Sequence, residues 1–385
     1  MLLQSITVYS CLLITMLLFA HNLSLKSSHY KTVSGVIKER SFWHFNTIFP
    51  LLLFGVLFGM RYDVGSDYLS YLFGYTHDID VSKGEPLFDA ITHLFQGLDL
   101  HYVFYFSFLA FFQVFFFFYA FKKERYLFPL LVFFLFTNSE WSFWMNVIRQ
   151  AMAICLWVYA LKYIEEKRLW RYLLWCIIAF LCHYSAIILI VFYPLLRSGK
   201  DYFKSIKLQL GLILAAFIVQ LVFISILPKL GVAVDFYKSI LGTDAYANSY
   251  DLESLSESFT ASEGTGLIYL IKIGLHIVII IYSTKLKNFY KNKWFNIIYF
   301  FFFFGLLTTY IFPVGFISLT RPFRYFYIFQ TIMYAYFAFY LRRNKTPQNR
   351  LIYVGLIILF VGIFLLSQIT ATEDSHLWYQ FYFQQ

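Results

Sequence analysis

Residues 59 to 71, GMRYDVGSDYLSY, set Arg61, Asp63 and Asp67 within seven positions, with Gly65 between the two acids and Tyr68 beside them. A glycine there lets the backbone turn and bring both carboxylates towards one point. Two acids beside an arginine could bind a cation, take a proton from a hydroxyl, or pair with the arginine. A second group lies in NSEWSFWMNVIRQAMA, residues 138 to 153, where Asn146 stands three residues before Arg149 and four before Gln150. Those spacings make a polar stripe on a helix. A third, SLTRPFRYFYIF, holds Arg321 and Arg324 three apart around Pro322. Proline suits a first helical turn, so both guanidinium groups would stand beside unbonded N–H groups and the positive end of the helix dipole, a setting for phosphate or pyrophosphate. Lys272 in GLIYLIKIGLHIV adds a further cation, with His276 one turn beyond it as an interior histidine. His183 in LCHYSA is suited to accept a proton, or to donate to a phosphate oxygen, near neutral pH.

The elements that position these groups must be apolar. The 385 residues are 60% hydrophobic, 23% aromatic and only 14% charged, and mean hydropathy is +0.65. That is more apolar surface than one soluble core can hide, which excludes a water-soluble enzyme and a disordered or collagen-like chain. A spanning helix needs roughly 20 mostly apolar residues. Such runs predict ten full crossings, over residues 2 to 20, 42 to 60, 101 to 121, 126 to 141, 144 to 161, 208 to 228, 267 to 284, 294 to 312, 321 to 341 and 351 to 369. The expected architecture is all-α, a polytopic integral membrane protein in one domain spanning 1–385. The Phe-rich runs FFQVFFFFYAF and YFFFFFG read as lipid-facing helix, and Cys11, Cys155, Cys176 and Cys182 as apolar thiols in those runs. The first twenty residues lack a basic start and a small-residue cleavage site, so they read as a retained helix.

Charge then orients the spans. Of the 31 lysines and arginines, 23 fall in short basic breaks such as Lys122, Lys123 and Arg125, or Lys162, Lys167, Arg168 and Arg171. Most acids fall in two long segments, 61–100 and 229–266. The positive-inside rule puts the basic breaks in the cytoplasm and the acidic segments outside. Because the breaks on both sides of residues 172–196 are basic, that stretch reads as a short hairpin with His183 near its bend, the other reading being one ordinary helix. Segment 229–266 reads as a mobile lid over the outer ends of the helices, carrying Tyr246, Tyr250 and nearby carboxylates. Arg61, Arg149, Lys272, Arg321 and Arg324 remain, all at or near outer helix ends, with Arg149 about one and a half turns inside a helix starting near Trp144. The other readings are a structural pair of Arg149 with Asp63 or Glu140, and interfacial anchoring of Arg321 and Arg324. No phosphate-loop, dinucleotide or zinc motif is present, which argues against ATP-driven transport, and basic loops a few residues long are no nucleic-acid signal.

Arg61 to Tyr71 (RYDVGSDYLSY), Asn146 to Ala153 (NVIRQAMA), and His183 to Ala186 (HYSA) after the basic KYIEEKR break resemble, in order and spacing, the EpsG family of Wzy-like bacterial polysaccharide polymerases. The resemblance covers most of residues 40 to 200, and the RPFRY segment extends it. It implies a GT-C-like membrane glycosyltransferase on the outer side of the bacterial cytoplasmic (inner) membrane, joining repeat units carried on undecaprenyl pyrophosphate. In that chemistry Arg149, Arg321 and Arg324, with Arg61, Lys272, Asn146, Gln150 and Tyr68, would hold pyrophosphate and glycan. Asp63, Asp67 or His183 would serve the acceptor hydroxyl, alongside Arg149, without a nucleotide or other cofactor, although the paired acids leave a divalent cation open. The implied partners are lipid-linked donor and acceptor, the bilayer and a chain-length regulator. A lipid-linked oligosaccharide flippase and a related O-antigen ligase are the alternative functions.

Overall fold

The computed structural model describes residues 1–28, 42–79, 84–226, 266–312, 320–371 and 377–384. In chain order the helices are α1 (Leu2–Ser28), α2 (Phe45–Gly59), α3 (Tyr68–His77), α4 (Pro86–Gly97), α5 (Tyr102–Ala120), α6 (Phe128–Thr137), α7 (Glu140–Asn146), α8 (Ile148–Ala160), α9 (Lys162–Glu165) and α10 (Leu169–Cys182). There follow α11 (Phe192–Leu196), α12 (Ile206–Ile226), α13 (Leu267–Ile281), α14 (Ser283–Tyr290), α15 (Lys293–Ile311), α16 (Arg324–Arg343) and α17 (Pro347–Ile369). Two short strands, β1 (Arg61–Tyr62) and β2 (Gln380–Phe381), complete the all-α architecture. Among the described residues four helical stretches, Leu2–Ser24, α5, α15 and α17, are each long and apolar enough to cross a membrane. The pair α13 and α14, bent by 56°, makes a fifth if taken as one span. Each of the other expected spans contains helix, from the 10 residues of α6 to the 21 of α12.

The chain forms two compact units. The first comprises residues Met1–Ile190 and Tyr334–Gln385. At its centre α2 lies against α5 at backbone distance. A Cβ on Gly55 would stand 2.8 Å from the Phe111 Cβ, and one on Gly59 would stand 2.6 Å from the Val103 carbonyl oxygen and closer still to the Ser107 hydroxyl. Glycines four apart form a flat strip that lets two helices approach closely in an apolar medium. The FFQVFFFFYAF run on α5 is not a simple lipid-facing surface. Phe117, Phe118 and Phe121 are buried, as is Gln113, so one face of this helix belongs to the interior.

Two further contacts fix the first unit. Trp157 on α8 donates its indole N–H to the Tyr172 hydroxyl at 3.1 Å, and that hydroxyl donates to the Leu189 carbonyl at 2.6 Å. At 1.5 Å rise per residue, positions 172 and 189 of one straight helix would be about 25 Å apart. The chain therefore turns back, and the turn is at His183, where the backbone is extended after α10 and a 3₁₀ run, Tyr184–Val191, begins. The C-terminal tail also returns to the centre. β2 pairs antiparallel with β1, the Tyr382 N–H donates to the Met60 carbonyl at 2.8 Å, and Tyr379 packs edge-on against Tyr9.

The second unit comprises Val191–Met333. Gln209 on α12 accepts from Tyr299 on α15 and donates to the Phe203 carbonyl at 2.8 Å. Lys287 on α14 meets both oxygens of Asp201 at 2.9 Å. Burial pushes the lysine's pKa down while Asp201 opposes the shift. The YFFFFFG run, expected to face lipid, is the interior of this unit, with Phe301, Phe302 and Phe303 at 0% exposure. A helix apolar all round fits either setting, so hydropathy alone does not separate them. Segment 229–266, apart from Gly266, lies outside the described residues, and with it Tyr246 and Tyr250.

The close approach of α2 to α5 yields a test. Gly59→Ala is expected to cost about 1–3 kcal/mol through overpacking, read as a lower Tm of the detergent-solubilised protein. Gly355→Ala, where an added Cβ meets nothing within 4 Å, is expected to leave Tm unchanged or slightly raised. Equal behaviour of the two variants would refute the backbone-to-backbone packing.

Candidate active site

The site begins with a break in a helix. Arg149 is the second residue of α8, because α7 stops at Asn146 and Val147, at φ −96° and ψ 58°, interrupts the helix. A continuous helix from Trp144, as the sequence suggested, would have set Arg149 deeper in its own element. The carbonyls around the break, of Trp144 and Ile148, accept from the buried Gln113 amide at 3.5 and 3.2 Å. Such pairing is required of polar backbone away from water.

The break turns Asn146 towards the motif that follows α2. Its side-chain oxygen accepts from the Ser66 hydroxyl and from the Asp67 backbone N–H, both at 2.9 Å. The structure thus brings the first two sequence groups together. Gly65 is at φ +98°, and a Cβ there would be 3.2 Å from the Met145 carbonyl oxygen, so the turn accepts only glycine without strain. Asp63 is itself left-handed, at φ 52°, and half-buried. Asp67 is exposed at the start of α3.

Two expected substrate ligands have a different place. Arg61 is 1% exposed and Tyr68 0%. The Arg61 guanidinium donates to the carbonyls of Val64 at 3.2 Å, Met145 at 3.3 Å and Phe58, and lies against the rings of Tyr68 and Phe106. Tyr68 donates to the Arg61 carbonyl at 2.9 Å. Burial pushes the Arg61 pKa down to about 10, opposed mainly by Tyr68. These side chains hold the turn from inside, closed to solvent. Gln150 is buried as well, at 4% exposure.

Arg149 and His183 meet through a residue that its sequence context does not single out. Glu85, 2% exposed, precedes α4, whose first residue is Pro86. One carboxylate oxygen accepts from Arg149 Nη1 at 2.7 Å, and the other faces His183 Nδ1 in a short hydrogen bond. Arg149 Nε also donates to the Tyr71 hydroxyl at 3.2 Å, and burial raises the Tyr71 pKa while Arg149 lowers it. Tyr184 donates to the Gly84 carbonyl, so residues 183–184 clasp residues 84–85 at two points. The Arg149 and His183 side chains are 14% and 16% exposed, which leaves the cluster open at its rim. The signal for Glu85 is local: a Gly-Glu-Pro step at a helix start, within a segment whose other acids look solvated.

Chemically, a buried carboxylate that holds Nδ1–H leaves the second imidazole nitrogen, Nε2, as the proton acceptor. A base oriented by a third group is the common arrangement for activating a hydroxyl. The remaining expected ligands belong to the second unit. Arg321 lies in the 3₁₀ turn Arg321–Phe323, and Arg324, half-buried at the start of α16, lies over Tyr327. Lys272 is half-buried on α13, and His276 bonds Tyr310 at 2.5 Å. Among the described residues no three His, Cys, Asp or Glu side chains are grouped as metal ligands would be.

Asn146→Ala removes the acceptor of the Asp67 amide, a bond worth about 1 kcal/mol net. Amide hydrogen exchange at Asp67 is expected to rise roughly fivefold, with exchange in α12 unchanged. An unaltered rate at Asp67 would separate Asn146 from the turn.

No curated protein and no solved structure matches the chain. A family match spans residues 42–383, which takes in the Arg61 turn, the Val147 break, the His183 bend and the β2 tail. With its three motifs folded around one site and the match covering most of its length, the chain belongs to the EpsG family, a Wzy-like polysaccharide polymerase family.

Proposed function

We propose that the protein is a membrane glycosyltransferase that polymerises undecaprenyl-pyrophosphate-linked oligosaccharide repeat units into a surface polysaccharide, on the outer side of the cytoplasmic membrane. The observation that carries the reading is the buried Glu85 carboxylate shared by Arg149 and His183. Family membership supports a polymerase, and the outward placement of acidic segment 61–100 under the positive-inside rule supports the side.

In the proposed reaction an acceptor sugar hydroxyl attacks the anomeric carbon of the lipid-linked donor. The hydroxyl proton passes to His183 Nε2 as the new C–O bond forms. The bond from the anomeric carbon to the pyrophosphate oxygen breaks, and its electron pair leaves with the lipid diphosphate. Glu85 fixes the imidazole and balances the imidazolium it becomes. Arg149 supplies fixed positive charge at the rim, and preorganised charge of this kind commonly contributes more to an enzymatic rate than any other single effect. Asp67, exposed on the same turn that Asn146 holds, is suited to orient the acceptor glycan.

Purified protein reconstituted with a lipid-linked repeat unit is expected to give laddered products. His183→Ala should lower the rate by about 10²–10⁴-fold, the usual worth of a general base. Arg149→Ala should lower it by about 10²–10³-fold, with folded protein retained in the membrane and single repeat units accumulating. Ladders of normal length from either variant would sink the assignment. Repeat units trapped on the inner side, detected by external labelling, would favour a flippase instead.

A further inference from the structure

A second cluster of cations lies at the end of α5, in the first unit. The Lys162 ammonium stands 3.6 Å from the centroid of the Tyr159 ring, 4.7 Å from Tyr163 and 5.6 Å from Tyr119. Lys122 lies 4.4 Å from the same Tyr119 ring and donates to its hydroxyl at 3.2 Å. Tyr119 and Tyr159 are themselves stacked, with centroids 5.3 Å apart. Two ammonium groups are therefore drawn onto one aromatic platform by ring quadrupoles.

Two of the neighbouring acids, Glu124 and Glu166, have partners besides these lysines. Glu124 accepts from Tyr126 at 3.2 Å and from Tyr336, and Glu166 pairs with Arg168 at 3.4 Å. Burial, with Lys122, Lys123 and Arg171 adding like-charge repulsion and Glu166 opposing, pushes the Lys162 pKa down to about 8. Crowded cations of this kind are relieved by an anion. The surface that continues from Arg171 is apolar: Trp170 is 80% exposed, Leu174 54% and Ile177 50%, and their spacing places them on one face of α10. An anion with an apolar tail fits both halves of this surface, and basic pockets at membrane helix ends are known to favour such headgroups.

We propose that Lys122, Lys162 and Arg171 bind the phosphate headgroup of an anionic phospholipid whose acyl chain lies along Trp170, Leu174 and Ile177. The site is separate from Glu85, and the inference does not rest on the polymerase reading.

The full-length protein in a neutral detergent, titrated with phosphatidylglycerol or phosphatidylcholine of equal chain length and read by native mass spectrometry, tests it. Phosphatidylglycerol is expected to bind roughly tenfold more tightly, and the preference to vanish when Lys122, Lys162 and Arg171 are all changed to Gln. Lys162→Arg, which keeps the charge, should retain the preference, and Lys200→Gln, outside the cluster, should leave it intact. Equal affinity for both lipids, or a preference that survives the triple change, overturns the proposal. Inorganic phosphate that displaces phosphatidylglycerol completely at millimolar concentration would assign the cluster to free phosphate and overturn the lipid. If the triple variant does not fold, Lys162→Gln compared with Lys162→Arg decides by the same criterion.

Discussion

A carboxylate withdrawn from water must be paired and hydrogen-bonded, or it loses its charge, and Glu85 at 2% exposure is under that constraint. Both of its oxygens are used, one by Arg149 and the other by His183. These partners lie 64 and 98 residues along the chain. One stands at the start of α8, just after the Val147 break, and the other at the bend after α10. The start of α4, the start of α8 and the hairpin are thus held on a single charge. Removing either partner would leave part of that charge uncompensated, which is why two irregular elements of the backbone have to be where they are. The bond from Tyr184 to the Gly84 carbonyl keeps the hairpin in place independently of the charge.

Arg61 solves the opposite problem with different means. Its buried guanidinium has the carbonyls of Phe58, Val64 and Met145 as acceptors and two aromatic faces around it. A guanidinium can do this because it is weakly hydrated and presents several donors in a plane. The packing that makes room for it is the contact of Gly59 with α5, and the tail strand β2 closes its other side through the pairing of Phe381 with Arg61. The turn from Asp63 to Asp67 is in this way clamped between a helix contact, a tail and Asn146. Such a frame fixes the backbone that carries both carboxylates.

Much of this is legible in the sequence because it depends on local pattern. Helix occurs in every expected span, and the bend at His183 follows from basic residues on both sides of a stretch too short for two full crossings. The Arg61 and Asn146 motifs are recognisable as strings, but their contact is not, since it depends on a break at Val147 that no glycine or proline announces. Glu85 is hidden for a related reason: an acid in an acidic segment looks solvated until a distant arginine and histidine are brought to it. Arg61 and Tyr68 look like ligands because residue type does not reveal which way a side chain faces. The YFFFFFG run misleads on the same ground, hydropathy being equal for a lipid surface and a packed interior.

The chemistry of the proposed reaction gives the arrangement its logic. Before reaction the Glu85 carboxylate stands between the Arg149 guanidinium and the His183 imidazole, one oxygen to each. As the proton reaches Nε2, the cluster gains positive charge, and it does so while the departing diphosphate gains negative charge. A lysine at position 149 would serve this less well. Arg149 reaches Glu85 through Nη1 and Tyr71 through Nε, two directions from one rigid plane, whereas an ammonium on a flexible stem holds neither geometry by itself. The charge must be stationary when the leaving group departs, and the planar fork anchored at two points is what makes it so.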